Sequence, residues 1–173
     1  MTRIEIRDPA LVVLIGAAGS GKSTFAARWF ASSEVLSSDA FREILSGDAN
    51  DQRVTKAAFS IIHREVTKRL VAGRTVVVDA TNVDRHARRA LLARAGFANV
   101  PAVAIVLALP RELVLRRNAA RLERVVDPTI VERHLERVAA VAGSLGDEGF
   151  DQVVLLRSTD DVDATEVVRT VDL

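Results

Sequence analysis

An α/β fold, a central parallel sheet with helices on both faces, is predicted by three features of the sequence. Short apolar runs at 11–15, 75–78, 103–109 and 152–156 alternate with longer segments of helical spacing, as right-handed βαβ crossovers require. The run at 11–15 is apolar throughout and that at 75–78 is continuously β-branched, the mark of strands covered on both faces. The first of them passes directly into Gly16-Ala-Ala-Gly-Ser-Gly-Lys-Ser23, a glycine-rich connection that opens a helix.

Taken in order, residues 2–7 alternate Ile4 and Ile6 with polar neighbours and predict a short edge strand before Asp8-Pro9. The strand at 11–15 and a helix from Ser23 to about Phe30 follow. Residues 34–37 predict a second strand, and 40–45 a helix for which Ser38 or Asp39 can serve as N-cap. Apolar positions Ala57, Ala58, Ile61, Ile62, Val66 and Leu70 recur at helical spacing and predict the longest helix over 54–72, ended by Gly73. The strand 75–78 closes on Asp79, with Thr81 or Asn82 able to cap a helix over 84–95 that stops at Gly96. A strand at 103–109 precedes a helix over 111–123, which Asp127-Pro128 interrupts and 129–141 resumes. A strand at 152–156 and a short terminal element complete the chain. No repeat or linker divides it, so one domain over 1–173 is expected.

The connection 16–23 matches G-x-x-x-x-G-K-[ST] in the strand-to-helix context the motif requires. A loop that wraps a polyphosphate must present successive backbone N–H groups, and glycine permits the close approach and unusual dihedrals. Residues Gly16, Ala17, Ala18, Gly19, Ser20, Gly21, Lys22, Ser23 and Thr24 are therefore the expected cradle for ATP or another nucleoside triphosphate. Lys22 would meet the β- and γ-phosphates and Ser23 would bind Mg²⁺, with the helix N-terminus adding a favourable dipole. Asp79 at the end of an apolar strand has the pattern of a second carboxylate that orients the metal or its waters; Asp79-Ala-Thr-Asn82 also reads as a capped turn, and the two are compatible.

Asp39 also follows a strand, so it converges with the phosphate loop and Asp79 at the carboxyl edge of the sheet, where open parallel sheets bind ligands. Asp39 and Arg42 are three apart, which points both side chains the same way. The carboxylate can take a hydroxyl proton and the arginine hold an anion; a helix cap beside a surface residue is the plainer reading. Arg117, Arg121 and Arg124 fall on one face of the expected helix, suggesting a lid over the triphosphate, or a solvated face. His63, His86 and His134 lack metal-ligand spacing and are expected to be surface or helix residues.

With Ser37-Ser-Asp-Ala-Phe-Arg42, Asn50-Asp-Gln52, Val78-Asp-Ala-Thr-Asn-Val83, Leu109-Pro110 and Asn118 added in order, nearly the whole chain resembles the kinase domain of bacterial polynucleotide kinase-phosphatase. The D-x-x-R element is the specific part, because the loop alone is shared by a vast superfamily. The resemblance implies a P-loop kinase fold with a helical lid at about 111–128, and transfer of the ATP γ-phosphate to 5′-hydroxyl ends of RNA or DNA in end repair. It implies Lys22, Asp39, Arg42 and Arg117 as catalytic residues: Asp39 as general base, Arg42 on the reacting or substrate phosphate, and Arg117 on the ATP phosphates. The phosphatase and ligase-like modules of that family are not in this sequence, so 3′-phosphate removal is not expected, and other end-repair modules are possible partners. A small-molecule kinase acting on a sugar acid or nucleoside is the alternative, and a nucleotide-regulated binding module a third.

Composition bounds these readings. The chain has 173 residues, 49% hydrophobic and 27% charged, with no cysteine and a net charge of +1. It holds no apolar run of membrane-spanning or signal-peptide length and no thiolate metal site, so a cytoplasmic protein without membrane association is expected. Only three of the 24 basic residues are lysines. The arginines gather at 85–94 and 111–124, as phosphate recognition by planar forks favours and as a GC-rich genome would also write. Six Phe, one Trp and no Tyr offer few stacking platforms for bases.

Overall fold

A computed structural model describes residues 2–122 and 124–171. Its strands and helices are β1 (Thr2–Asp8), β2 (Leu11–Gly16), α1 (Lys22–Trp29), β3 (Val35–Ser37), α2 (Ser38–Ser46), α3 (Thr55–Val71), β4 (Val76–Asp79), α4 (Arg85–Ala98), β5 (Ala102–Leu107), α5 (Arg111–Ala119), α6 (Pro128–Val141), β6 (Gln152–Leu156), α7 (Thr159–Asp163) and β7 (Thr165–Val171). Five strands form one parallel sheet in the order β3-β4-β2-β5-β6, so the expected α/β architecture is present.

Strand β2 is central, with Leu11 level with both Val76 of β4 and Ala102 of β5. Its six residues are all buried, and the period-two geometry of a strand divides them between two cores. Leu11, Val13 and Ile15 pack with Ile62, Val66 and Leu70 of α3 and Leu91 of α4. Val12 and Leu14 pack with Phe25 and Ala26 of α1 and with Ile4 and Ile6 of β1. Helices therefore cover both faces. Burial on both faces is why these strands read as unbroken apolar runs.

Strand β1 is not an edge of that sheet. It pairs in parallel with β7, Thr2 level with Thr165, in a separate two-stranded sheet. Three boundaries also differ from the sequence expectation. Helix α4 runs through Gly96 and stops where Asn99 adopts φ 54°. Its N-cap is Asp84, whose carboxylate accepts from the His86 and Ala87 amides, rather than Thr81 or Asn82. Helix α2 is capped by Ser37, which accepts from Ala40 N; Ser38 and Asp39 lie inside the first turn. Among the described residues no helix is long and apolar enough to cross a membrane.

The sheet brings its carboxyl edges level. Asp79 at the end of β4 faces Ser37 of β3 and Leu14 of β2, which sets Asp79, the start of α2 and the loop after β2 around one cleft.

Candidate active site

The loop between β2 and α1 has the backbone its glycines predict. Gly19 and Gly21 adopt φ of 86° and 93°, left-handed values that cost a side-chain-bearing residue about 1–2 kcal/mol. A Cβ on Gly19 would lie 2.8 Å from the Val114 carbonyl oxygen of α5, so the loop and α5 approach too closely for any side chain there. Lys22 is buried, and its Nζ donates to the carbonyls of Gly16 at 3.0 Å and Ala17 at 2.9 Å. Burial lowers its pKa to about 8, opposed by the nearby Asp79 carboxylate and assisted by Arg121 and Arg124. Ser23 Oγ donates to Asp79 Oδ2 at 2.6 Å. Gly16 and Ala17 are themselves buried beneath the loop, while residues 18–24 line the cleft.

That cleft is a cavity of about 910 Å³, near the upper end of the roughly 300–1,000 Å³ usual for ligand sites. It is strongly cationic. Lys22 and six arginines line it against four aspartates, an excess of three positive charges. Two polar atoms on its walls, Ser20 Oγ and His134 Nδ1, are buried without a hydrogen-bond partner among the described residues. Such atoms are costly to leave unpaired and mark where a polar ligand gains most.

Asp39 lines the same cleft as the loop. Its Oδ1 accepts from Arg42 Nη2 one turn on, and its Oδ2 meets Arg124 Nη1. Arg42 is itself almost wholly buried, with Nε donating to the Ala49 carbonyl at 2.8 Å. Its Nη1 is left without a partner among the described residues. Arg124 also donates from Nε to Asn50 Oδ1 at 3.0 Å. Gln52, Thr55 and Phe59 also line the cleft.

The arginine row converges as expected but not by helical periodicity. Helix α5 stops at Ala119, so of the row only Arg116 and Arg117 are helical, and Arg121 and Arg124 stand on the connection to α6. The expected last helical residue, Glu123, lies outside the described residues. Asn118 is the physical reason: its Nδ2 donates to the Val126 carbonyl at 2.7 Å and its Oδ1 accepts from Val126 N at 3.1 Å, closing the connection into a loop. Arg117, Arg121 and Arg124 all line the cavity, and Arg116 does not. Arg117 Nη1 lies 3.7 Å from where a Cβ on Gly21 would be, directly over the phosphate loop.

Further contributors are not visible in the sequence. His134 of α6 lines the cavity, and burial together with Lys22, Arg137 and Arg133 lowers its pKa to about 4, so it is neutral at pH 7. Arg133 joins it on that wall, and Arg28 of α1 flanks the loop. Arg88 of α4 is wholly buried and grips Glu148 through Nε at 2.8 Å and Nη2 at 2.6 Å. Its Nη1 donates to the Asn82 carbonyl at 3.0 Å, and Asn82 Nδ2 donates to the Leu14 carbonyl at 2.7 Å. The turn after Asp79 is thereby tied to the strand that carries the loop.

A model of the AAA domain family AAA_33, a P-loop kinase family, matches residues 11–145, which contain the loop, Asp39, Asp79 and the arginine connection. The chain belongs to this family. Nucleotide binding and a kinase-like phosphotransferase fold follow from membership. Among solved structures, a chain of the Pnkp1/Rnl/Hen1 RNA repair complex is similar at 23% identity and TM-score 0.69, over 80% of this chain and 47% of that one. This chain spans about half of that protein's length. A gluconokinase from Sinorhizobium meliloti matches at 18% identity and TM-score 0.59, over 91% and 87% of the two chains. Kti12 from Chaetomium thermophilum, in complex with ADP-AlF3, matches at 18% and 0.63, over 88% and 93%. No curated protein matches significantly in sequence.

Proposed function

We propose that residues 1–173 form a single kinase domain that transfers the γ-phosphate of ATP to the 5′-hydroxyl end of RNA or DNA. The observation that carries this reading is the Asp39–Arg42 pair, a carboxylate braced by a buried guanidinium in the same cationic cavity as the phosphate loop. In the reaction, the acceptor oxygen forms a bond to the γ-phosphorus as the bond to the β–γ bridging oxygen breaks and ADP leaves. The hydroxyl proton passes to Asp39. Loop amides and Lys22 bind the phosphates, Lys22 exchanging its Gly16 and Ala17 carbonyl partners for phosphate oxygens.

Two guanidiniums pair with Asp39 and aim it, but a base must have one oxygen free. Arg124 is the partner that belongs to the loop 120–127, and its movement toward the triphosphate with Arg117 and Arg121 releases Oδ2. The segment 111–128 acts in this way as the lid. Arg42 holds a phosphate of the acceptor with its free Nη1 while Nη2 keeps Asp39 in place. Ser23 and Asp79 offer hard oxygen donors 2.6 Å apart, a set suited to Mg²⁺. Water and substrate phosphate would supply the remaining ligands. When bound, Mg²⁺ neutralises charge on the β- and γ-phosphates.

Phe25 and Phe59 are the only aromatic rings other than His134 on the cavity wall, so few bases can stack there, and this favours a small-molecule kinase as the second reading. The test is transfer of labelled γ-phosphate from ATP with magnesium to an equimolar mixture of a 5′-hydroxyl oligonucleotide, gluconate and a free nucleoside. Label on the oligonucleotide is expected. Label on gluconate or the nucleoside alone overturns the reading.

A further inference from the structure

The surface of α3 and α4 has a charge bias that the catalytic cleft does not use. Across the 17 residues of α3 and 14 of α4 there are eight Lys and Arg and one acid, Glu65, although the chain's net charge is only +1. Glu65 is paired with Arg69 on another face of α3, and Arg88 is committed to Glu148. Between the two helices lies a second cavity of about 490 Å³, lined by Ser60, His63, Arg64, Thr67, Lys68 and Arg94. No acid lines it. Arg64 and Lys68 are exposed and have no ion-pair partner among the described residues. Burial and the Arg94 charge lower the His63 pKa, so the cationic character comes from Arg64, Lys68 and Arg94.

The groove begins about one turn along α3 from the cleft. Thr55 and Phe59 line the cleft and His63 and Thr67 line the groove, and positions four apart in a helix stack along one face. Phe59 and His63 are in edge contact, ring centroids 6.2 Å apart. Lys56, Ser60, Arg64 and Lys68 form the adjacent ridge at the same spacing. From Phe59 to Lys68 the axial rise is about 14 Å, the length of about four stacked nucleotides at roughly 3.4 Å each.

We propose that this groove carries the acceptor strand away from the active site: Phe59 stacks a base at the mouth of the cleft, and Arg64, Lys68 and Arg94 hold backbone phosphates beyond it. This rests on the polynucleotide reading and deepens it, because a small-molecule acceptor has nothing to place 14 Å from the cleft. A basic groove beside an aromatic ring is the arrangement by which single strands are bound without sequence preference.

The test compares a 5′-hydroxyl dinucleotide with a hexanucleotide as acceptors for the parent and for Arg64→Ala/Lys68→Ala, neither residue being in the catalytic machinery. The parent is expected to favour the hexanucleotide through KM. The double variant is expected to raise the hexanucleotide KM by about three- to tenfold, the loss of two exposed charge contacts, with kcat and the dinucleotide KM unchanged. The slope of log affinity against log salt should flatten by about 1.4, at roughly 0.7 per single-strand phosphate. Binding of the labelled hexanucleotide, followed by anisotropy without ATP, is measured in parallel. Equal hexanucleotide KM and salt slope in parent and double variant overturn the groove while leaving the polynucleotide kinase standing. Hexanucleotide binding that the double variant loses, with no oligonucleotide phosphorylated by the parent, retains the groove and overturns the kinase reading instead.

Discussion

Removing the Glu148 carboxylate would strand a cation in the core. Arg88 is 0% exposed, and its side chain has three fixed partners: both oxygens of Glu148 and the Asn82 carbonyl. The Glu148 side chain is 2% exposed, so water cannot replace it. Glu148→Leu leaves the guanidinium buried without its counter-charge, a change that costs about 3–5 kcal/mol, against a total stability of about 5–15 kcal/mol for such a chain. At about 2–4 °C per kcal/mol for this size, Tm should fall by between roughly 6 and 20 °C. Arg88→Leu/Glu148→Leu should recover most of that loss, since apolar replacement of a buried pair is often neutral or better. Urea unfolding of both single variants and the double variant gives the coupling directly. A loss below about 1 kcal/mol in Glu148→Leu, or additive losses in the double variant, would refute the view that this pair locks the turn behind Asp79.

Other outcomes follow from the site. Lys22→Ala and Ser23→Ala should each lower the transfer rate by several orders of magnitude with little change in circular dichroism, because charge developing on the phosphates loses its fixed partners; near-parental turnover would contradict the phosphate-loop assignment. Arg117→Lys should lose much of the rate while Arg116→Ala does not, a point charge being a poor substitute for a fork; steady-state kinetics of the two variants decide it. Asp39→Asn should abolish transfer and leave nucleotide binding by calorimetry nearly intact, since Asn keeps the shape and loses proton affinity. His134 is held neutral by burial, with its pKa lowered from 6.5 to about 4, so the unfolded chain takes up a proton that the folded one refuses. Stability should therefore decline as pH falls from about 6.5 toward 4, and Tm of His134→Gln should decline less over that window.

The parts legible in the sequence are those whose chemistry is local. The phosphate loop is readable because the φ of Gly19 and the contact with Val114 demand glycine, and β2 and β4 because burial on both faces makes 11–15 and 76–78 unbroken apolar runs. The pairing of β1 with β7 spans more than 160 residues, and neither strand's own pattern names its partner. The sequence predicts a longer helix α5 because Arg, Leu, Ala and Glu all favour helix, while the side-chain clamp from Asn118 to Val126 that stops it is a tertiary contact. The same clamp explains why Arg121 and Arg124 still reach the cavity. The role of His134 is not legible because nothing near it in sequence reports the charge of Lys22, more than 100 residues away.

The central claim is that the acceptor is a polynucleotide end, and the ratio of kcat/KM for a 5′-hydroxyl oligonucleotide to that for the corresponding free nucleoside tests it most directly. Arg42 can hold an adjacent phosphate only where the acceptor possesses one. A ratio far above unity that shrinks in Arg42→Ala is predicted; comparable values for the two acceptors in the parent would contradict the claim and favour the small-molecule kinase.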